Sequence, residues 1–273
     1  MNRASLLPVA LLTLSSLTCL VTGIPSIRAQ TPLSVGSSAN SPANPASVPA
    51  EIEKVIQMPD GKDKVTALNA AIKTWAQKDP TAGLAWILSL PQAQYSQLRP
   101  DVKGFAVGAD PKSSAEWLVQ QNTPKAMELL HPMLIGWSMS DPNAAEAWCV
   151  KLQSHDARAR HVSFYSVADG LIRKKADLAT AWVAQLQPGA DRLSAIAGVT
   201  TIWARGDIVA ATAWIKTLAP AELKQAAQVV AGVWRFAKGT RDSPNPWHSV
   251  QDWLDQMPFT PADKEYVLKN PQS

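Results

Sequence analysis

The stretch that decides the fold is WSMSDPNAAEAWCVKLQ, residues 137–153. It contains two tryptophans, Trp137 and Trp148, which are 11 residues apart with an Asp-Pro pair between them. Asp is a favoured N-cap, and Pro is tolerated at the first helical position, where its missing N–H is not needed. The stretch therefore predicts a helix that ends near Trp137, a tight turn at Asp141 and a second helix that runs through Trp148.

The same pattern returns along most of the chain. The second tryptophan recurs at intervals of 31, 31, 34, 32 and 39 residues, and the first position recurs with it, held by Ala106 in the second unit and Leu171 in the fourth. Such a period indicates stacked helical hairpins, because one hairpin of about 30 residues cannot bury its own apolar faces. The tryptophans are expected to form the structural core of the repeats: Trp75, Trp86, Trp117, Trp137, Trp148, Trp182, Trp203, Trp214, Trp234 and Trp253.

Helix boundary signals agree with this period. Aspartates stand where N-caps are needed, at Asp79, Asp110, Asp141 and Asp207. Prolines at the first helical position follow three of them, Pro80, Pro111 and Pro142, and further prolines end the second helices, Pro91, Pro188, Pro220 and Pro258. Two prolines oppose the pattern, since Pro100 and Pro132 are expected to interrupt the first helices of the second and third units. The chain is thus predicted to be all-α, a right-handed superhelix (α-solenoid) of about six two-helix hairpin repeats of 31–34 residues.

The N-terminal region predicts export. A basic residue, Arg3, precedes an apolar stretch and a small residue suited to cleavage, so residues 1–29 are predicted to be a signal peptide. Residues 30–50 carry no charge and are rich in Ser, Pro and Ala, which predicts a disordered linker before an α-helical repeat domain at 51–273. The expected location is periplasmic or secreted. An uncleaved anchor and a lipoprotein attached through Cys19 are the alternatives.

The composition excludes several classes of protein. The chain has 11 Trp against 4 Phe and 3 Tyr, and it lacks the run of 18 or more apolar residues that a polytopic membrane protein needs. Its formal net charge of +4 falls to about +2 if Arg3 and Arg28 leave with the signal peptide, so nothing in the charge balance requires nucleic acid. Only Cys149 would remain after cleavage, which rules out an intramolecular disulfide. We expect no membrane span in the cleaved chain.

A two-helix unit of about 34 residues, with Trp early and Pro late, resembles the tetratricopeptide-like family of α-helical repeats. It is more similar to the Trp- and Asp-Pro-marked hairpin repeats of uncharacterised secreted bacterial proteins, over residues 60–258. The Gly and Tyr of the tetratricopeptide consensus are absent after the first Trp in all six units. The resemblance implies a superhelical fold and a scaffold for protein–protein contacts, but the family's peptide-binding residues do not transfer.

Sequence motifs for catalysis, cofactors and metals are missing. The chain has no G-x-S-x-G elbow, no phosphate-binding loop and no G-x-G-x-x-G turn. Its histidines are expected at the surface or between helices, because none is four residues from another: His131, His155, His161 and His248. Cys149 occupies the position held elsewhere by Ile, Leu and Val, so it is predicted to be a buried small hydrophobe. We therefore predict no catalytic residue, no cofactor and no metal, although a carboxylate pair assembled by the fold stays open.

Basic residues cluster at or just after the ends of the first helices. They are Lys78, Arg173, Lys174, Lys175, Arg205, Arg235 and Lys238. Equivalent positions in stacked repeats align along one edge, so these residues predict a cationic strip, the basic edge, that would attract acidic proteins or anionic polymers. The alternative is structural, because each cation at a helix C-terminus complements the helix dipole by about 0.3–1 kcal/mol.

Three functional hypotheses follow from the sequence. The first is an exported, non-enzymatic scaffold that binds another envelope or secreted protein through its α-solenoid surface. The second is a binding module for an anionic cell-envelope polymer, which would use the basic edge. The third is an enzyme whose site is built across repeats.

Overall fold

A computed structural model describes residues 48–98, 110–242 and 244–272. These ranges contain fourteen α-helices, one 3-10 helix and no β-strand, which confirms the predicted all-α class. The predicted signal peptide 1–29, with Cys19, and the predicted linker up to residue 47 lie outside the described residues, as do Pro100 and Ala106.

The first seven helices are α1 (Ala50–Ile56), α2 (Lys62–Lys78), α3 (Pro80–Ser89), α4 (Gln92–Gln97), α5 (Pro111–Gln121), α6 (Pro124–Ser140) and α7 (Pro142–Val150). The others are α8 (Ala157–Lys174), α9 (Ala176–Gln185), α10 (Ala190–Gly206), α11 (Ile208–Ile215), α12 (Pro220–Val233), the 3-10 helix η1 (Trp234–Phe236), α13 (Val250–Asp255) and α14 (Pro261–Lys269). No helix in the described ranges combines the length and hydropathy needed to cross a bilayer. The third, fourth and fifth hairpins are α6–α7, α8–α9 and α10–α11.

Single residues separate the two helices of four hairpins. Asp79 joins α2 to α3 and accepts a hydrogen bond from the third N–H of α3 at 3.0 Å, and Asp141 does the same between α6 and α7 at 3.1 Å. Asp110 and Asp207 cap α5 and α11 in this way, so the predicted N-caps are confirmed. Lys175 takes this place between α8 and α9 and gives no side-chain cap.

Aromatic rings fill the space between the two helices of each hairpin. Ring centroids lie 5.8–6.0 Å apart in four tilted pairs, Trp75–Trp86, Trp137–Trp148, Trp203–Trp214 and Trp234–Trp253. The fourth hairpin has no such pair, because Leu171 occupies the first position. There Trp182 stacks on Phe164 at 5.8 Å, with an interplanar angle of 12°. Every hairpin with both helices described therefore has an aromatic contact at its centre.

The first helices pack on one another in sequence order, α6 on α8, α8 on α10 and α10 on α12. Two glycines allow this close approach. A Cβ atom at Gly170 would lie 2.7 Å from the carbonyl oxygen of Ile135, and one at Gly198 would lie 2.4 Å from that of Tyr165. Any larger residue would push the helices apart. The first helices therefore form a closely packed layer.

Pro132 lies inside α6, which continues through it to Ser140. The expectation that this proline interrupts the first helix of the third unit is therefore wrong. An internal proline removes one helix hydrogen bond and costs about 3 kcal/mol. The helix tolerates it because its neighbours Leu130 and Leu134 are fully buried, and burial of one such side chain contributes about 1.5–3 kcal/mol. The second helices α3, α9, α11 and α13 end before the prolines expected to stop them.

Two arginines, 32 residues apart, connect successive hairpins. Each donates to a carbonyl oxygen at the end of the preceding second helix and to a carboxylate on the next first helix. Arg160 reaches Asp191 at 3.0 Å, and Arg192 reaches Glu222 at 2.7 Å. The spacing of these contacts follows the period of the tryptophans, so the same connection is built twice.

Candidate functional site

The residues of the predicted basic edge lie at the C-terminal ends of first helices. They are Lys78 at the end of α2, Arg173, Lys174 and Lys175 at the end of α8, Arg205 in the last turn of α10, and Arg235 and Lys238 after α12. The structure divides them into three groups with different surroundings.

The three cations at the end of α8 are engaged within the chain. Arg173 pairs with Asp169 one turn earlier on the same helix. Lys174 donates to the carbonyl oxygen of Met139 at 2.8 Å, which satisfies an acceptor at the C-terminal end of α6. Lys175 lies 3.2 Å from Asp177. Lys174 and Lys175 therefore fit the structural alternative, in which cations complement helix ends, whereas the Arg173 side chain stays 45% exposed beside Asp169.

Two of the other cations flank an exposed aromatic ring, and a third follows it closely in the chain. The guanidinium carbons of Arg235 and Arg205 lie 4.6 and 5.6 Å from the ring centroid of Phe236, which is 45% exposed. Lys238 follows, and its main chain is fixed by hydrogen bonds to Ala204 and from Ile208. We call Arg205, Arg235, Phe236 and Lys238 the Phe236 patch.

Lys78 belongs to a different part of the molecule. With Ile52 and Trp75 it lines a cavity of about 300 Å³ between α1 and α2. Its side chain is exposed at the end of α2. Lys78 therefore contributes to the surface of the first hairpin, and the Phe236 patch is built from α10 and the segment that follows α12.

A further set of polar side chains lies on the packed first helices, and the sequence analysis did not identify it as a site. His131 on α6 and His161 on α8 both contact Tyr165 of α8, with ring centroids 5.8 and 5.9 Å from that of the tyrosine. Asp169 and Arg173 follow Tyr165 at four-residue spacing, which places them on the same helix face. We call these five residues the Tyr165 cluster.

Serines of the neighbouring helices fix the protonation of both histidines. His131 Nδ1 lies 2.8 Å from Ser166 Oγ, and His161 Nδ1 lies 2.9 Å from Ser194 Oγ. Each serine already donates its only hydroxyl proton to the carbonyl oxygen four residues earlier. Each Nδ1 must therefore carry the hydrogen and donate it, which leaves Nε2 as an acceptor. Desolvation lowers the pKa of both His131 and His161, so both rings are neutral at pH 7.

The rest of the cluster combines a buried acid with a partly exposed cation. The side chain of Asp169 is 3% exposed, and that of Arg173, which donates to it through Nε, is 45% exposed. Thr201 of α10 donates to the carbonyl oxygen of Ala197 and interacts with the Tyr165 hydroxyl. Burial raises the pKa of Tyr165, the interaction with Thr201 lowers the pKa by less, and the phenol stays protonated. The cluster thus combines acceptors, an aromatic ring and a cation along α8 and the adjoining part of α6.

A cavity of about 790 Å³ lies between the second helices α5 and α7. Trp137 and Trp148 form part of its lining, and Lys112, Glu116 and Lys151 are its charged residues. Lys112 is paired with Glu116 at 3.2 Å, and all three side chains are at least partly exposed. The volume suits a small molecule, but these charged groups are not fixed by burial as the orienting groups of a ligand site usually are.

Cys149 is buried in α7, as predicted from its place in the repeat. Burial raises the pKa of its thiol well above the ordinary value, so the thiolate nucleophile does not form near neutral pH. Among the described residues, no group of three or more His, Cys, Asp or Glu side chains could hold a metal ion. His155 and His248 are exposed.

The sequence did contain a signal for the Tyr165 cluster. His131 and Ser166 are 35 residues apart, and His161 and Ser194 are 33 apart, so each His–Ser contact spans about one repeat. The signal consists of only two such pairs, so it is hard to recognise before the positions of the helices are known.

No protein-family model, no curated protein and no solved structure matches the chain. The resemblance to tetratricopeptide-like repeats therefore rests on the repeat pattern alone.

Proposed function

We propose that the chain is an exported, non-enzymatic scaffold that binds another protein through the surface of a right-handed α-solenoid. The hairpins are of similar length, their first helices pack in sequence order, and Arg160 and Arg192 connect them at repeat spacing. Units that contact mainly their neighbours build an elongated array with a large surface for its size. Such arrays serve as platforms for binding.

The observation that carries the proposal is the exposed Phe236 between two guanidinium groups. Arginine and aromatic residues are enriched in protein interfaces and supply most of their binding hot spots. The ring is held in position because η1 is continuous with α12, and Lys238 is anchored to α10 through its main chain. A pre-positioned anchor loses little entropy on binding.

The charge of the patch defines the partner. Arg205, Arg235 and Lys238 give it three cations, so we propose an acidic protein surface with an apolar pocket for the ring. Apolar burial of Phe236 should keep the complex together at high salt, whereas steering by the cations should weaken as salt rises.

The test is capture of partners from native envelope extract by the purified chain and by matched variants. Arg235→Ala and Phe236→Ala should each reduce capture by about tenfold or more, as loss of an interface hot spot does. Arg158→Ala is the control, because it removes an exposed cation at the opposite end of α8. Capture that is equal for the parent chain and both patch variants would contradict the proposal.

A second candidate function is binding of an anionic cell-envelope polymer through the basic edge. It is favoured by the arrangement of Arg205, Arg235 and Lys238 at the ends of neighbouring helices. A polymer held by charge alone is released at high salt, because counterions compete for the cations. Release in a high-salt wash, together with loss of binding after Arg205, Arg235 and Lys238 are changed to Ala, would favour this candidate.

A further inference from the structure

The Tyr165 cluster combines more chemistry than the packing of helices requires. It brings together residues from two first helices, α6 and α8, and is supported by serine and threonine hydroxyls of α8 and α10. Asp169 is nearly fully buried, so its position is fixed by the packed layer. Functional groups held by buried partners on rigid helices are the usual basis of a specific binding site.

The two imidazoles act as acceptors. Because Ser166 and Ser194 occupy both Nδ1–H groups, the unprotonated Nε2 atoms of His131 and His161 are the nitrogens left to bind a ligand. Neutral Nε2 atoms accept hydrogen bonds from O–H or N–H groups. The His131 and His161 part of the cluster therefore fits a ligand that carries hydroxyl or amide donors.

Tyr165 adds an apolar surface between these acceptors. Its ring makes angles of 49° and 41° with the imidazoles of His131 and His161, so neither imidazole stacks flat on it. Its hydroxyl interacts with Thr201 of α10. What Tyr165 offers a ligand is therefore the ring itself, a flat surface for C–H groups.

Arg173 supplies the cationic end. It donates to Asp169 through Nε, and the two amino groups of its guanidinium provide a fork that matches a carboxylate. From His161 to Arg173 the helix α8 advances by about 18 Å, at about 1.5 Å per residue. That distance exceeds one sugar ring, so one ligand that reaches both ends must be an oligomer.

We propose that the Tyr165 cluster binds an acidic oligosaccharide, with sugar hydroxyls donating to His131 and His161, a ring face packed on Tyr165 and a uronic acid carboxylate paired with Arg173. A metal ion fits less well, because no third ligand joins the two imidazoles among the described residues. The proposal does not rest on the scaffold function, since it uses different residues from the Phe236 patch.

Calorimetric titration of the full chain with a short oligogalacturonate tests the proposal. Two matched probes separate the contribution of the sugar rings from that of the charge. One is the fully methyl-esterified oligomer, which keeps the rings and loses the charge, and the other is an acidic peptide of equal charge. We expect the oligogalacturonate to bind and the esterified form to bind about tenfold more weakly, the factor that corresponds to about 1.4 kcal/mol for a lost charge-assisted pair. The acidic peptide should bind more weakly than either.

Variants assign the binding to the cluster. Tyr165→Leu should lose about tenfold or more in affinity, whereas Tyr165→Phe should retain it, because the hydroxyl faces Thr201. His161→Ala should weaken binding and leave the chain folded, because this side chain is exposed at the surface of α8. His155→Ala, an exposed histidine outside the cluster, is the control. Thermal unfolding of every variant checks that each is folded.

Several outcomes would overturn the proposal. They are absence of heat with millimolar oligogalacturonate, equal affinity for the acidic peptide, and unchanged affinity in the folded His161→Ala and Tyr165→Leu variants. Protein capture by the Phe236 patch is measured separately with Phe236→Ala. Failure of the oligosaccharide proposal is therefore distinguishable from failure of the scaffold function.

Discussion

The third and fourth hairpins solve the same packing problem with different residues. In the third, Trp137 and Trp148 meet at 5.8 Å with their rings tilted by 51°, and Asp141 caps the second helix. In the fourth, Leu171 and Lys175 replace the first tryptophan and the aspartate. Both hairpins nevertheless bury the second tryptophan, which is less than one tenth exposed in each.

In both hairpins the second tryptophan packs against another aromatic ring, but that ring comes from a different position of the first helix. Phe164 stands seven residues before Leu171, which is two helical turns and the same face of α8. It can therefore supply the ring that Leu171 lacks, stacked at 12° rather than tilted. The hairpin that departs from the repeat is also the one whose first helix carries most of the Tyr165 cluster. Local departures from a folding pattern are expected where a chain serves a function.

Removal of the second tryptophan should have the largest effect on stability. Trp148→Ala and Trp182→Ala should each lower the free energy of unfolding by about 3–5 kcal/mol, because each leaves a large cavity between the helices. Urea denaturation followed by circular dichroism measures the loss. Trp117→Ala, at a half-buried tryptophan, is the control and should cost less.

Phe164→Ala decides whether the fourth hairpin really uses the substitute ring. It should cost about 3–5 kcal/mol, as truncation of a buried Phe does, and the cost should not add fully to that of Trp182→Ala, because the two rings are in contact. Full additivity in the double variant would show that the stacking contributes nothing of its own.

A single added methyl group between the closely packed first helices should lower the stability of the chain. Gly170→Ala should lower the free energy of unfolding by about 1–3 kcal/mol, because its Cβ would collide with the backbone of α6. The control is Gly136→Ala on α6, where a Cβ meets nothing within 4 Å and where alanine should gain up to about 1 kcal/mol in helix propensity. Equal effects at the two sites, measured by urea denaturation, would mean that the helices are not in close contact.

Stability should fall on acidification through the two histidines of the cluster. Desolvation holds the pKa of His131 and of His161 below the ordinary value of 6.5, so the unfolded chain binds more protons than the folded chain in that window. The stabilisation is present above pH 6.5 and is lost as the pH falls through the folded pKa values. His131→Gln should flatten the dependence of the urea midpoint on pH, and an unchanged slope would show that this ring does not titrate on unfolding. We expect this effect to be smaller than that of Gly170→Ala, because both rings are only partly shielded from water.

The sequence predicted the features that are local to one hairpin. Asp141 and Trp148 are a few residues from the groups they contact or cap, so their spacing alone defines the turn and the second helix. The prediction about Pro132 was wrong because the burial of its neighbours, which depends on α8, outweighs a local helix breaker. Local signals cannot report such tertiary compensation.

The Tyr165 cluster could not be predicted because its members come from separate helices. His131 precedes Tyr165 by 34 residues, and Thr201 follows it by 36, so only the packing of α6, α8 and α10 brings them together. The basic edge was predicted as one strip because its members share a place in the repeat. In the structure, Asp169 pairs with Arg173 and Phe236 contacts Arg235, so these cations have different surroundings. The other units have neither an Asp nor a Phe at the equivalent positions.

The smallest expected effect concerns the missing cap of the fourth hairpin. The backbone at Lys175 is extended, as at an N-cap, but its side chain cannot accept a hydrogen bond. Lys175→Asp should therefore raise the free energy of unfolding by about 0.5 kcal/mol, the low end of the value of a cap, since an exposed pair with Asp177 is lost at the same time. Asp141→Ala is the matched reverse change in the third hairpin and should cost about 1 kcal/mol. If Lys175→Asp stabilises the chain and weakens oligogalacturonate binding, the lysine contributes to ligand binding at the expense of stability. If it stabilises the chain and leaves binding unchanged, Lys175 lies outside the binding site, which then ends at Arg173.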